Sequence, residues 1–240
     1  MLILQVGTAS KEIRTSLGDY PEWFCQALKR SVDTVEVVKV FEGEEIPPAD
    51  PNRPVIITGS GAMVTDYHPW SARAAQWIRG AMEIGTPLFG VCYGHQLMAD
   101  ALGGRVGFHP KGREVGCQKI HLSDIAIADP FLKNLPLTFS AHLLHEQTIL
   151  EMPQGAKALA YSSHDPYQIV RYGPRALSTQ FHPEFTVDIN SAYLKRQAAV
   201  LHQEGRKLDD LLDQLEDTPQ ARQILTDFIE AAMQGVSTVQ

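Results

Sequence analysis

Two short segments carry residue types that can do chemistry together. The first is Gly90-Val91-Cys92-Tyr93-Gly94-His95-Gln96. An apolar run over residues 87–91 leads into Cys92, and an apolar helical pattern follows over 94–102. This is G-x-C-x-G, the thiol counterpart of the G-x-S-x-G nucleophile elbow. So tight a strand-to-helix turn needs small flanking residues, and glycine also tolerates unusual backbone angles. The apex side chain is pushed out above the sheet, where the positive end of the following helix favours thiolate over thiol. Cys25 falls on an apolar helix face and Cys117 in a strand-like stretch, so both read as structural.

The second segment is Thr179-Gln180-Phe181-His182-Pro183-Glu184-Phe185, at the end of the last strand-like run. A thiolate nucleophile usually needs a histidine and a group that orients it. Residues i and i+2 of an extended chain share a side, so His182 and Glu184 are expected to face each other. An acceptor on one ring nitrogen would fix the tautomer and stabilise the imidazolium. His-Pro-Glu alone is weak evidence, but beside the elbow it points to nucleophilic catalysis. A metal on Cys92, His182 and Glu184, or on His142 and His145, is the competing reading. No Cys-x-x-Cys or His-Glu-x-x-His spacing supports it, and neither a metal nor a cofactor is expected.

These segments need a scaffold. Strand patterns over 2–6, 34–40, 55–58 and 87–91 alternate with helical patterns over 20–30, 70–84 and 94–102. Trp70, Ala74, Trp77, Ile78 and Ala81 form one helix face. That alternation predicts an α/β fold with a doubly wound, flavodoxin-like, mostly parallel sheet. Strand-like runs over 105–109, 115–122, 137–142, 156–162, 168–172 and 176–180 predict antiparallel additions and the last central strand. The tail from about 190 to 234 reads as helical, with Thr218 as a cap before Pro219. The expected organisation is one catalytic domain over 1–188 and a helical extension over 189–240, packed on the same domain.

The chain has 240 residues, a formal net charge of −7 and three cysteines. An acidic balance argues against nucleic acid and against a polybasic membrane anchor. An odd cysteine count argues against a disulfide framework and for a reducing compartment. No apolar run is long enough for a transmembrane helix, and the N-terminus lacks a basic region, so the cytoplasm is the expected location.

Together, Gly90 to Gln96, Ala101-Leu102-Gly103-Gly104 and Gln180-Phe181-His182-Pro183-Glu184 resemble the class I, or triad, glutamine amidotransferases. The likeness is greatest to stand-alone proteins similar to the amidotransferase domain of GMP synthase, and it covers about residues 2–188. It implies that Cys92 attacks the glutamine side-chain amide, His182 moves protons and Glu184 orients His182. It implies an oxyanion hole from the Tyr93 N–H and from the Gly59-Ser60-Gly61 turn, with the Ser60 N–H as first choice and Gly59 next. This turn has Gly61 where the family usually has proline. Gly94 and Gln96 match positions at the glutamine pocket. His145-Glu146-Gln147-Thr148-Ile149 resembles the family's H-x-D-x-V segment, with Gln147 in place of the acid. Gln147 could equally be a solvated loop residue.

No Walker-type phosphate loop is present to activate an acceptor. The first expectation is glutamine hydrolysis that releases ammonia for a separate synthase subunit. The alternative is a self-contained γ-glutamyl peptide hydrolase. A silent binding or regulatory subunit is the third reading, against which the Cys92, His182 and Glu184 set argues.

Overall fold

The computed structural model describes residues 1–235. Positions 236–240, the end of the expected extension, lie outside the described residues. Strands β1 (Leu2–Gln5), β2 (Glu36–Lys39), β3 (Val55–Ile57), β4 (Leu88–Val91) and β11 (Ala176–Thr179) pair in parallel in the order β2-β1-β3-β4-β11. This is the flavodoxin-like order. The same sheet continues antiparallel through β10 (Ile169–Gly173), β9 (Lys157–Tyr161), β6 (Glu114–Leu122) and β7 (Thr138–His145). A separate pair joins β5 (Arg105–Phe108) to β8 (Gln147–Glu151). The expected α/β class and doubly wound sheet with antiparallel additions are therefore found.

Strand alternation sorts the core onto two faces. Leu2, Leu4, Ile57 and Leu88 point to one side, packed with Ile78 of α3 (Pro69–Glu83) and Leu97 of α4 (Tyr93–Ala101). Ile3, Ile56 and Phe89 point to the other. There they meet Phe24 of α2 (Tyr20–Ala27) and Phe228 of α8 (Pro219–Met233). Phe228 packs at 5.3 Å from Phe89 and 5.4 Å from Phe131 between ring centroids. Leu208, Leu211 and Leu212 of α7 (Leu208–Asp213) cover Val115, Leu194 and Leu201.

Three details differ from the sequence reading. A further helix, α1 (Lys11–Leu17), precedes α2. The tail is broken into α5 (Val187–Arg196), α6 (Ala198–Gln203), α7 and α8. Thr218 stands at the start of α8, but its hydroxyl caps nothing and is buried without a hydrogen-bond partner among the described residues, so Pro219 marks the helix start.

Candidate active site

The carboxyl ends of four parallel strands supply the walls of one cavity. The chain leaves β1 toward Thr8, β3 toward Ser60, β4 into Cys92 and β11 toward His182. Such ends are where open α/β sheets bind ligands. The cavity holds about 320 Å³ and is lined by Cys92, Tyr93, Gln96, Ser60, Gly61, His145, Gln147 and His182 among others.

Cys92 sits between β4 and α4 with φ 53° and ψ −100°, a left-handed backbone rare for a side-chain-bearing residue. Two bonds from neighbouring strand ends hold the turn. The Cys92 N–H donates to Thr179 O at 2.9 Å, and the Gly94 N–H donates to Thr58 O at 3.1 Å. A Cβ on Gly90 would stand 2.7 Å from Gly94 O, and one on Gly94 would lie well inside 3.0 Å of Ile57 O. Both glycines are thus required by backbone approach. The Cys92 thiol lies 3.8 Å from Leu144 O, and Cys92 and His182 line the same cavity.

His182 is buried. Its N–H donates to His142 O at 2.9 Å, its ring stacks on Phe185 at 3.9 Å, and its Nδ1 meets Glu184 Oε1 at 2.7 Å. His182 and Glu184 do face each other, but not along a strand. They follow β11 in a turn closed by Phe185 N–H to His182 O at 3.4 Å. Proline between them favours that turn over continued sheet. Burial disfavours the charged ring, yet the Glu184 carboxylate and then Cys92 outweigh it, and the His182 pKa is pushed up to about 10. His142, just behind, is held down to about 4 by burial and by the charge on His182. Burial raises the thiol pKa of both Cys25 and Cys117.

The remaining sequence candidates divide by position. Tyr93, the first residue of α4, has an N–H with no partner inside its own helix, and its hydroxyl is bound to Ser71 at 2.8 Å. Ser60 Oγ accepts from the Ala62 N–H at 3.1 Å, which shapes the turn. Gly59 lies against the histidine: a Cβ there would come 3.0 Å from His182 Cε1. Gln96 Nε2 donates to Gln147 O at 2.6 Å and to Gln180 Oε1 at 3.0 Å, so its own Oε1 is what it can offer a ligand. His145 turns its ring nitrogens to Gln147 O and Glu114 Oε2, each at 2.9 Å. Gln147 is not a solvated loop residue: it opens β8, is 1% exposed, and its Nε2 donates to Thr65 Oγ1 at 2.5 Å.

Sequence reasoning missed much of the cavity mouth. Thr8, Ser10, Tyr20, Arg113, Tyr193 and Arg196 also line it. Asp19 ties the first of these in place. It caps α2 by accepting from the Tyr20 N–H at 2.9 Å, and it also accepts from Thr8 Oγ1 at 2.5 Å and the Ala9 N–H at 2.8 Å. Asp19 followed by Glu22 was a readable capping-box signal. One further cluster, Glu114, His145 and Asp165, has the proximity of a metal site. Its atoms already have protein partners: Glu114 accepts from His145, Ser162 and Gln168, and Asp165 accepts from Thr148 and the Tyr167 N–H.

Residues 18–200 match the family described as glutamine amidotransferase class-I. The chain belongs to that family. A GMP synthase from Aeropyrum pernix is 32% identical over 142 residues, which are 59% of this chain and 25% of that protein. The chain thus spans about a quarter of the GMP synthases it matches. A γ-glutamyl peptidase 4 from Arabidopsis thaliana is 27% identical over 192 residues, 78% of this chain and 76% of that one. A glutamine amidotransferase structure from Thermotoga maritima superposes with a TM-score of 0.72 at 18% identity, covering 100% of this chain and 99% of that chain. That likeness concerns the fold. Among the described residues, no helix is long and apolar enough to cross a membrane.

Proposed function

We propose that the protein hydrolyses the γ-carbonyl bond of glutamine or of a γ-glutamyl amide, through a thioester on Cys92. One observation carries the reading: the strained elbow sets Cys92 in the same cavity as His182, whose Nδ1 is bound to Glu184. Cys92 attacks as thiolate while His182 carries the proton. The Sγ–C bond forms, and the carbonyl electron pair moves onto oxygen. The N–H groups of Tyr93 and of Ser60, or next Gly59, would receive that charge. The C–N bond then breaks as His182 gives its proton to the departing nitrogen. Water, deprotonated by His182, cleaves the thioester to glutamate and restores the thiolate. Gln96 Oε1, beside the wall formed by His145 and Gln147, would accept from the substrate ammonium.

With glutamine, the nitrogen leaves as ammonia, and a separate synthase chain would be its consumer, in keeping with the GMP synthase relatives. With a γ-glutamyl peptide, it leaves as an amino acid or peptide. The similarity to γ-glutamyl peptidase 4, 27% identical over 192 residues, supports this second substrate. The test is turnover by the isolated chain with hydroxylamine present. Formation of γ-glutamyl hydroxamate, lost in Cys92→Ala, is expected. Turnover that persists without Cys92 overturns the reading.

A further inference from the structure

The departing group leaves on the His182 side of Cys92, because its proton comes from that ring. Phe185 joins His182 to the α5 helix: it stacks on His182 at 3.9 Å and on Tyr193 at 5.5 Å between ring centroids. Tyr193 and Arg196 stand about one turn apart on α5, and both line the cavity. A second wall, from Gln96 to Gln147 to Thr65, is tied together by its own hydrogen bonds. The cavity therefore has a wall for the glutamyl part and another, on α5, for whatever leaves.

Two arginines line the cavity, and they are held differently. Arg113 has a side chain 12% exposed. Its Nε donates to Glu204 at 2.6 Å, and its Nη1 donates to Gln197 at 3.1 Å and forms an ion pair with Glu146 at 3.1 Å. Arg196 has a side chain 54% exposed, and its hydrogen bond is to Glu12 Oε2 at 3.1 Å, on a side chain 75% exposed. So open an ion pair contributes little. A carboxylate arriving from the cavity can replace Glu12 on a guanidinium that offers a planar fork of donors. Ammonia has no part that could use this arginine.

We propose that Arg196 anchors a carboxylate on the leaving amine, so that the preferred substrates are γ-glutamyl amino acids rather than glutamine. This rests on the hydrolytic reading above and names its leaving group. As Cys92 Sγ bonds to the γ-carbon and the C–N bond breaks, the His182 proton goes to the amino nitrogen. The amino acid departs with its carboxylate intact, and water then releases glutamate.

The experiment compares kcat/KM for γ-glutamylglycine, γ-glutamylglycinamide and glutamine. The first two differ only in the leaving-group charge. The wild-type protein is expected to favour γ-glutamylglycine over its amide by about tenfold or more, the scale of one charge-assisted hydrogen bond. Arg196→Gln should bring that ratio near one, through KM rather than kcat. Arg196→Lys should keep part of it, and Glu12→Gln should raise it by freeing Arg196. A wild-type ratio near one, or a ratio that survives Arg196→Gln, overturns the proposal while leaving γ-glutamyl hydrolysis standing. Turnover of none of the three compounds overturns both.

Discussion

His182 Nδ1 lies 2.7 Å from Glu184 Oε1, and the other carboxylate oxygen, Oε2, is buried with no hydrogen-bond partner among the described residues. The Glu184 charge is thus spent on one ring. Glu184 and Cys92 together hold the His182 pKa up to about 10 against the cost of burial. A ring so biased toward its protonated form is suited to protonate a leaving nitrogen. Removing the Cys92 contribution with Cys92→Ala should lower the His182 midpoint, read by histidine NMR. An unmoved midpoint would refute the pairing.

The same shift has a stability consequence. The folded pKa of His182, about 10, lies above its ordinary unfolded value of about 6.5. The folded state then holds the extra proton on this ring between those values, so the His182 contribution to stability falls with rising pH in that window. The contribution is fully present below about pH 6.5 and lost as pH passes about 10. Urea denaturation should show a steeper decline over this range for the wild type than for His182→Gln. Parallel slopes would contradict the assignment.

The elbow glycines predict a contrast in stability. Gly94→Ala drives a Cβ into the Ile57 carbonyl, where backbone must move, whereas a Cβ on Gly61 meets nothing within 4 Å. Gly94→Ala should cost at least about 2 kcal/mol. Gly61→Ala should stay within about 0.5 kcal/mol of the wild type. Urea midpoints for the two variants decide it, and equal midpoints would mean the elbow is looser than described.

The cysteines should differ in reactivity. Burial raises the thiol pKa of Cys25 and Cys117, whereas Cys92 lines the cavity together with His182. Mass mapping after limiting iodoacetamide at neutral pH should find Cys92 modified first. Preferential labelling of either other cysteine would count against Cys92 as the nucleophile.

The elbow and the parallel half of the sheet were legible because their signals are local. Gly90, Cys92 and Gly94 lie within one turn, and each buried strand is a short apolar run. The cavity mouth was not legible, because its parts come from distant segments. Arg113 precedes β6, Arg196 ends α5, and only tertiary packing brings them to one opening. Gln147 was ambiguous because its burial depends on β5 and Thr65, neither of which is near in sequence. The turn joining His182 to Glu184 hid behind a residue spacing that an extended strand would also satisfy.

The oxyanion assignment predicts a substrate-independent loss. Ser60→Pro removes a backbone N–H, whereas Ser60→Ala keeps it and forfeits only the bond from the Ala62 N–H. Ser60→Pro should lower kcat by about 10²–10³ for glutamine and γ-glutamyl amides alike, since all would form the same oxyanion. Ser60→Ala should lose far less. If the folded proline variant keeps full activity, the Gly59 N–H becomes the candidate donor.

The final prediction ranks Cys92, His182 and Glu184. Cys92→Ala removes the atom that bonds to carbon and should abolish turnover. His182→Ala removes the proton carrier and should do nearly the same. Glu184→Gln is different. Its amide oxygen can still accept from the His182 Nδ1–H, so ring orientation survives. The lost charge withdraws the main force holding the His182 pKa up, so the imidazolium becomes harder to keep. Glu184→Gln should therefore retain more activity than either alanine variant, with kcat reduced and KM little changed. Its activity should also fall away at a lower pH than that of the wild type, because His182 loses its proton earlier. A full pH–rate profile for Glu184→Gln tests both effects. A variant as dead as Cys92→Ala at every pH would give Glu184 a more direct part in proton transfer than orienting and charging His182.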